Sequence, residues 1–530
     1  MADYRVLVSD PISDIGVDAL RKAEGISVDV NTGLAPEELL KIIGDYDGLV
    51  VRSQTKVTPE VFAAAPKLKV IGRAGVGVDN IDRGAATDHG VVVMNTPSGN
   101  TISTAEHAFS LMLSLARNIP QAHASMLAGR WDRKLYQGVE INGKRLAVLG
   151  MGRIGSEFAK RAQAFGMTVV AYDPFLTEAR AQSLKVELAE SPETALKGAD
   201  VVTLHIPLTP ESKHILNEER ISLMNPGALI VNCARGGLVD EAAAKKLIDS
   251  GHLAGIALDV YEDEPPAADF PLFAVKKCAY TPHLGASTAE AQENVGIQVA
   301  EQVRDFLATG EIRNAVNMPS LDSATLEKVG PYLELARSLG RLAAITGPAQ
   351  ADTIQVSYLG PVSELDTELI TRTALTGYLT NAREESVNLV NAPAIAKDLG
   401  LNVSESTVGL VTNCTELIEI TVIKGSKTST VAGTLFGRTA RIVHIADHNV
   451  ETNAKGSFLF VENDDRPGIV GTIGTLLGEA QVNIANMALS RNPELKRAVT
   501  VIEVDTEPTA ELLDKLAATP GILKVRSFDL

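Results

Sequence analysis

Short apolar runs alternate with amphipathic helical patterns along the first half of the chain. In residues 1–98 the apolar runs have the length of buried strands, and the segments between them repeat apolar residues at helical spacing. Strand–helix alternation of this kind predicts a parallel sheet with helices on both faces. A second alternating region, from Asn142 to about Pro282, predicts another sheet of the same class. The first half of the chain is therefore expected to be α/β.

Two long helices are predicted around the second region. An unbroken apolar pattern predicts one helix over Ile102–Ala128, apolar on nearly all sides and so expected to be buried between domains or subunits. The helix predicted at Glu290–Ala308 lies far from the second sheet and is expected to return to cover the first domain. Two doubly wound, Rossmann-like or flavodoxin-like domains would result, one from residues 1–98 plus 285–318 and the other from residues 99–284.

The remaining chain predicts two further domains. A short Pro/Ser segment at Asn317–Ser323 is typical of a linker. Residues 319–455 then combine an amphipathic helix with Thr- and Val-rich strands, which indicates an α+β domain. Residues 456–530 follow the order strand, helix, strand, strand, helix, strand, which is that of a ferredoxin-like βαββαβ domain.

Composition narrows the possible partners. The 530 residues carry 49 Lys and Arg against 66 Asp and Glu, a net charge of −17, which argues against sequence-independent nucleic-acid binding. Cys233, Cys278 and Cys414 are too few and too scattered for a disulfide framework or a zinc site, so no metal is expected. No apolar run approaches the ~20 residues of a membrane span, and no signal region opens the chain. A cytoplasmic protein without membrane or nucleic-acid partners is expected.

The stretch Arg145–Asp173 holds the strongest local motif. Gly150, Gly152 and Gly155 follow an apolar strand and open a helix, and a second strand then leads to Asp173. Glycines in this order permit a tight turn, close approach of the backbone to a pyrophosphate, and close packing of helix on strand. A carboxylate at the end of the second strand binds ribose hydroxyls and repels a 2′-phosphate. The stretch predicts a dinucleotide site that prefers NAD to NADP.

Polar residues at later strand ends are candidates for chemistry. His283, in TPHLGAST, can take and return a hydroxyl proton, as alcohol–ketone interconversion requires, although a structural loop histidine fits as well. Glu264 can hold such an imidazole and raise its pKa, but it has two acidic neighbours that make a solvated loop acid equally reasonable. Arg235 can bind a carboxylate bidentately, and a surface arginine is the alternative.

Loops of the first domain are expected to face the same cleft. Gly75 and Gly77, in RAGVGVDN, expose backbone N–H groups that suit a carboxylate. Positive charge for a second, phosphate-like group is available from Arg52, beside Ser53, and from Arg133 and Lys134.

Several spaced motifs resemble the D-isomer-specific 2-hydroxyacid dehydrogenases. The glycine turn and Asp173 are followed by HIPLTPESKHILN (205–217), NPGALIVNCARGGLVDE (225–241), GIALDVYEDEPP (255–266) and TPHLGAST (281–288). The resemblance covers about residues 1–316. It implies that His283 removes the C2 hydroxyl proton of a 2-hydroxyacid while the C2 hydride passes to NAD. It also implies that Glu264 supports the imidazolium and that Arg235 binds the substrate carboxylate.

The same resemblance implies two sets of binding residues. The implied cofactor contacts are Val76, Gly150, Gly152, Arg153, Ile154, Gly155, Asp173, Ile206, Cys233, Ala234, Arg235, Asp259, His283, Leu284 and Gly285. The implied substrate contacts are Arg52, Ser53, Gly75, Val76, Asn100 and Arg133, the last reaching a substrate phosphate from a neighbouring subunit.

The C-terminal domains resemble regulatory domains of long-form members of the family. DDRPGIVGTIGTLLGEAQVNIANM resembles the ligand motif of ACT domains, and Asp465 and Asn483 match positions that hold L-serine across a subunit interface in serine-inhibited members. The alternative interpretation is that Asp465 only caps the helix that begins at Ile469. The intervening domain binds an anion in some members, but a hairpin with solvated basic residues is the better interpretation here of Arg438, Arg441, His444 and His448. The resemblance favours a homotetramer.

Two alternatives to a dehydrogenase of a phosphorylated 2-hydroxyacid stay open. One is a D-2-hydroxyacid dehydrogenase for an unphosphorylated substrate of the glycerate, lactate or 2-hydroxyglutarate type. The other is an NAD-sensing, corepressor-like binding protein, which the presence of Arg235, Glu264 and His283 disfavours.

Overall fold

The computed structural model describes residues 3–275, 277–380, 387–408, 414–492, 494 and 496–530. Its first sheet has the strand order β2-β1-β3-β4-β5, and every pair is parallel. The strands are β1 Tyr4–Val8, β2 Ile26–Val30, β3 Gly48–Val51, β4 Val70–Arg73 and β5 Val92–Asn95. The helices between them are α1 Asp14–Arg21, α2 Pro36–Ile42, α3 Pro59–Ala63 and α4 Arg83–Asp88. This order is that of flavodoxin-like sheets, which confirms the predicted doubly wound class.

The prediction of one long helix over 102–128 was wrong. The structure has two helices, α5 Thr101–Ala116 and α6 Ile119–Leu127, separated by Asn118 in the left-handed conformation with φ 54°. Asparagine tolerates that conformation better than most residues. Pro120 lies in the first turn of α6, where a missing N–H costs little. The apolar pattern continues through the break, so it gave no sign that one helix ends and another begins there.

The second sheet is also parallel throughout, with the order β12-β11-β10-β9-β6-β7-β8. Its strands are β6 Arg145–Leu149, β7 Thr168–Tyr172, β8 Glu187–Leu188, β9 Val201–Leu204, β10 Ala228–Asn232, β11 Leu253–Leu258 and β12 Cys278–Tyr280. Its helices are α7 Arg153–Ala164, α8 Glu178–Ser183, α9 Pro192–Leu196, α10 Glu218–Ile221 and α11 Glu241–Asp249. The strand order reverses between β6 and β9, and ligands of such sheets bind at the carboxyl ends beside that point.

Helix α12, Ala289–Thr309, packs against the first sheet. The contact is close because Gly72 of β4 has no side chain: a β-carbon there would lie 2.6 Å from methyl groups of Val299 and Val303. The chain therefore leaves the second sheet after β12 and returns to the first.

The third sheet is mixed and has the order β14-β13-β15-β16-β17-β18, in which only β13 and β14 are parallel. It comprises β13 Thr353–Leu359, β14 Asn402–Val408, β15 Leu417–Lys424, β16 Lys427–Phe436, β17 Thr439–Ile445 and β18 His448–Asn453. The helices are α13 Ser323–Thr346, α14 Thr367–Leu379 and α15 Ala392–Asp398. The edge strands β14 and β18 were not predicted, because both are mostly polar.

The fourth sheet confirms the ferredoxin-like prediction. Its order, β20-β21-β19-β22, is antiparallel at every pair. The elements are β19 Ser457–Asp464, α16 Ile469–Glu479, β20 Ile484–Asn492, β21 Arg497–Val504, α17 Ala510–Ala517 and β22 Ile522–Asp529. Short 3₁₀ turns lie at Ile43–Asp45, Arg133–Tyr136, Pro271–Ala274 and Pro361–Glu364. Within the described residues, no helix is long and apolar enough to cross a membrane.

Candidate active site

The turn between β6 and α7 has the geometry of a dinucleotide cradle. Gly150 has φ 97°, and a β-carbon there would lie 2.5 Å from the carbonyl oxygen of His205. A β-carbon on Gly155 would lie 2.0 Å from the carbonyl oxygen of Gly150, so this glycine lets the helix approach the strand. Gly152, the N-cap of α7, has no atom within 4 Å of the corresponding position, which leaves open space at the helix N-terminus. The turn therefore fits a pyrophosphate.

The other predicted cofactor residues surround this turn. Asp173 follows β7, and its carboxylate accepts the N–H of Met151 at 2.8 Å and that of Phe175 at 2.8 Å. Ile206 follows β9 and lies against Gly150. Arg153 is exposed in the first turn of α7, beside the partly buried Ile154, and the buried Cys233 and partly buried Ala234 follow β10. The acid next to the glycine turn is what recognition of an NAD ribose requires.

His283 and Glu264 form a direct pair at the carboxyl end of the second sheet. Nδ1 of His283 lies 2.9 Å from Oε2 of Glu264, and Oε1 of Glu264 accepts the N–H of Tyr261 at 3.1 Å. The hydrogen bond to Glu264 is the main reason that the pKa of His283 is raised, against the opposing effect of burial. Burial opposes ionisation of Glu264, yet the hydrogen bond and charge of His283 keep the pKa of its carboxyl below the ordinary value. Nε2 is left available to a substrate.

A buried carboxylate holds the backbone around His283. Asp259 is fully buried, and its carboxylate accepts the N–H groups of Leu284 at 2.7 Å and Gly285 at 2.8 Å. The carbonyl of Asp259 accepts the N–H of His283 at 2.9 Å. His283 has φ 55°, a conformation that disfavours residues other than glycine, so these bonds fix an unfavourable turn.

Arg235 reaches across from the second sheet to the RAGVGVDN loop of the first domain. Its Nε donates to Oδ2 of Asp79 at 3.0 Å, and one terminal nitrogen donates to the carbonyl of Ala234 at 2.6 Å. A β-carbon on Gly77 would lie 1.9 Å from the other terminal nitrogen, so Gly77 provides the space that the guanidinium occupies. The charge of Arg235 also acts on His283, since it opposes the rise in the pKa of that histidine.

Arg73 is a site residue that sequence reasoning missed. Burial is the main reason that its pKa is lowered to about 10, and the positive charges of Arg235 and Arg52 lower it further. Its Nε is buried and has no hydrogen-bond partner among the described residues. A β-carbon on Gly75 would lie 1.7 Å from one terminal nitrogen, so Arg73 occupies the space beside that glycine. Its position at the start of RAGVGVDN, at a strand end, was the available signal.

The loop that carries Arg52 and Ser53 is organised by a second missed residue, Asp10. Its buried carboxylate accepts the N–H groups of Arg52 at 2.6 Å and Gln54 at 3.2 Å, and both the N–H and the hydroxyl of Thr55. Ser53 is left exposed at the bend. Asp10 follows β1 closely, and that strand-end position was the signal.

The remaining predicted substrate residues lie in different surroundings. The carbonyl of Val76 accepts a hydrogen bond from Asn95 at 2.5 Å. Asn100 is the N-cap of α5, and its buried Oδ1 has no hydrogen-bond partner among the described residues. Arg133 is exposed, in the turn between the exposed side chains of Trp131 and Leu135.

The two predicted effector residues each have another partner within the chain. The carboxylate of Asp465 makes a bidentate ion pair with Arg491, with Nε at 3.0 and 2.9 Å from the two oxygens. Nδ2 of Asn483 donates to Oδ2 of Asp505 at 2.6 Å.

The basic residues of the third sheet do not form one cluster. Arg438 lines a cavity of about 960 Å³ beside α13, together with Arg337 and Arg341. Arg441 donates to Asn453, and Nδ1 of His444 lies 2.9 Å from Oδ1 of Asn449. Within the described residues, no group of three or more His, Cys, Asp or Glu side chains is arranged to hold a metal ion.

Three family models match consecutive parts of the chain. The model described as "D-isomer specific 2-hydroxyacid dehydrogenase, NAD binding domain" matches residues 109–285. The model described as "D-3-phosphoglycerate dehydrogenase intervening domain" matches residues 328–446, and the ACT domain model matches residues 457–521. These matches correspond to the second, third and fourth sheets.

Curated relatives extend over the whole chain. The D-3-phosphoglycerate dehydrogenase of Archaeoglobus fulgidus is 42% identical over 528 residues, which are 99% of this chain and 100% of the relative. That of Bacillus subtilis is 41% identical over 535 residues, with the same coverage. Among solved structures, the NAD+-bound 3-phosphoglycerate dehydrogenase of Entamoeba histolytica matches with a TM-score of 0.51 and 29% identity, over 60% of this chain and 99% of that chain.

Proposed function

The chain belongs to the D-3-phosphoglycerate dehydrogenases, within the D-isomer-specific 2-hydroxyacid dehydrogenase family, and we propose that it oxidises D-3-phosphoglycerate to 3-phosphohydroxypyruvate with NAD. The observation that carries this proposal is the hydrogen bond between His283 and Glu264, formed at the same edge of the sheet as the glycine turn. A base held by a carboxylate next to a dinucleotide cradle is what alcohol oxidation requires.

The glycine turn and Asp173 would hold NAD, which would supply the acceptor for the hydride that leaves C2 of the substrate. The C2 hydroxyl proton passes to Nε2 of His283, because Nδ1 is engaged by Glu264. The carboxylate of Glu264 then stabilises the imidazolium. Arg235 binds the substrate carboxylate next to the developing ketone, and its fork holds that group bidentately. In the reverse direction His283 returns the proton.

The arginines favour a phosphorylated substrate over the unphosphorylated alternatives. The charges of Arg235 and Arg52 lower the pKa of Arg73, while Asp79 and Asp10 supply the opposing charge. The substrate carboxylate requires only Arg235, and the additional positive charges of Arg73 and Arg52 suit a phosphate group. Asn100, with its unpartnered Oδ1, and Ser53 complete the proposed substrate contacts, and Arg133 acts from a neighbouring subunit.

The decisive assay follows NADH consumption with 3-phosphohydroxypyruvate, with hydroxypyruvate as the matched substrate that lacks the phosphate. We expect turnover with the first and a much lower kcat/KM with the second. Equal values for the two would favour an unphosphorylated substrate. NADH binding without turnover on any 2-oxoacid would favour a binding protein.

The proposed reaction is the first step of L-serine biosynthesis. The protein is proposed to carry it out in the cytoplasm as a homotetramer. L-serine is the proposed effector of the ACT domain, with Asp465 binding its ammonium group and Asn483 its carboxylate. Asp465 can accept a donor besides Arg491, and the amide of Asn483 has a second N–H besides the one it donates to Asp505. Initial rates measured with L-serine, with D-serine as the control, test this assignment.

A further inference from the structure

The turn that presents His283 is attached to α5 at two places. Oγ1 of Thr104 donates to the carbonyl of Gly285 at 3.2 Å. One turn later, Nε2 of His107 lies 3.1 Å from Oδ1 of Asp259 and 3.1 Å from Oγ1 of Thr281. Both contacts are made by one face of the helix, whose N-cap is Asn100.

Asp259 depends on its donors because its carboxylate is buried. Oδ1 accepts three of them: the hydroxyl of Thr281 at 2.6 Å, the N–H of Leu284 at 2.7 Å and His107. Burial alone would raise the pKa of this carboxyl, but the hydrogen bond with His107 and those from Thr281 and Leu284 hold it below the ordinary value. A buried charge with fewer hydrogen-bond partners is costly. Removing a donor from Asp259 should therefore weaken the hydrogen bonds by which its carboxylate holds the turn.

We propose that His107 is a positioning residue for the proposed dehydrogenation. Through Asp259 it holds the His283–Gly285 turn, and with it the imidazole of His283, in the orientation for proton transfer. His107 touches neither the reacting atoms nor the glycine turn. Its contribution is the hydrogen bond from Nε2, and this bond joins α5, which carries Asn100 at its start, to the turn that carries His283.

The inference rests on the proposed function, but it has a consequence that is independent of turnover. If His107 holds the turn, its loss exposes the N–H groups of Leu284 and Gly285 to solvent exchange. Hydrogen–deuterium exchange of peptides that cover residues 281–288 measures this directly, in the full-length protein with and without NADH.

Two substitutions separate hydrogen bonding from packing. His107→Leu keeps apolar volume and removes the donor, whereas His107→Gln places an amide N–H at about the reach of Nε2. We expect His107→Leu to raise exchange in the 281–288 peptides about tenfold and to lower kcat about 10- to 100-fold. The KM for 3-phosphohydroxypyruvate should change less than about twofold, since the arginines are not altered. In His107→Gln, both the exchange and kcat should return most of the way to their wild-type values.

The inference fails if exchange in the 281–288 peptides is the same in His107→Leu and the wild type. It also fails if the Leu and Gln variants show the same rise in exchange and the same fall in kcat, because packing and not the hydrogen bond would then be responsible. If His107→Leu does not fold, Thr281→Val removes the hydroxyl shared by His107 and Asp259, and the same two measurements apply to it. A wild type without turnover would refute the proposed function, while the exchange result would still decide the role of His107.

Discussion

The guanidinium of Arg235 fills the space that a side chain on Gly77 would take: a β-carbon on Gly77 would lie 1.9 Å from a terminal nitrogen of that guanidinium. Arg235, the residue proposed to bind the substrate carboxylate, is therefore seated in a gap in a loop of the first domain. Gly77→Ala should displace the guanidinium and lower kcat/KM about 100-fold, as a misplaced binding group does. NADH affinity, measured by fluorescence titration, should be unchanged.

The matched control for that substitution is Gly474→Ala. Gly474 lies in α16, has no atom within 4 Å of the added β-carbon and is far in sequence from the cleft. A loss of activity in this variant equal to that of Gly77→Ala would contradict the steric explanation.

His283→Ala should lower kcat about 10²–10⁴-fold, because the general acid–base group is lost, and leave NADH binding nearly intact. The chain contains a matched control in His214, which also has a positive φ, 51°, and also pairs with a glutamate, Glu262, at 3.2 Å. His214→Ala should retain wild-type kcat. Turnover that survives in His283→Ala would show that this residue is not the proton acceptor.

Glu264→Gln should shift the pH profile in a defined direction. Glu264 raises the pKa of His283 in the native site. Oxidation needs the neutral imidazole, so its rate falls as pH drops through that pKa. Removing the carboxylate charge lowers the pKa and moves this acidic limb to lower pH, and the alkaline limb of the reduction moves the same way. kcat/KM measured in both directions between pH 5 and 10 tests the shift, and an unmoved limb would contradict the pairing.

Arg73→Met should weaken substrate binding without lowering the stability of the fold. Arg73 has a buried Nε that meets no hydrogen-bond partner in the described part of the chain, and its pKa is lowered to about 10 by burial and like charge. Replacing such a cation with an apolar side chain of similar length should leave the free energy of unfolding unchanged or raise it. The KM for the phosphorylated substrate should rise at least about tenfold, as loss of a charged hydrogen bond of ~1.5–3 kcal/mol implies. Urea denaturation and steady-state kinetics provide the two readouts, and Arg21→Met, at the exposed end of α1, is the control.

Asp173→Ala should relax the discrimination against NADP. The carboxylate lies beside the glycine turn, where it accepts the N–H of Met151, and its charge opposes a 2′-phosphate. The ratio of kcat/KM for NAD to that for NADP should fall by at least about tenfold, which corresponds to ~1.4 kcal/mol of lost repulsion. An unchanged ratio would place ribose recognition at another residue.

Most of the fold could be predicted from the sequence because it depends on local patterns. Apolar runs separated by helical spacing identified both parallel sheets, and observed strands such as Gly48–Val51 and Val201–Leu204 are apolar runs of this kind. The break at Asn118 and the polar edge strand Asn402–Val408 were not visible, because neither interrupts or creates an apolar period.

The sequence by itself determined the glycine turn, its acid and the order of the elements, since short-range sterics and burial decide those. Only the tertiary structure decided which side chains meet. Of three adjacent acids, Glu264 contacts His283 while Glu262 pairs with His214. Arg235 meets a loop of another domain at Asp79 and Gly77, and Arg73 becomes a cation whose buried Nε has no partner among the residues that the structure describes. These contacts follow from strand order and from the way the two sheets face each other, and no local pattern encodes either.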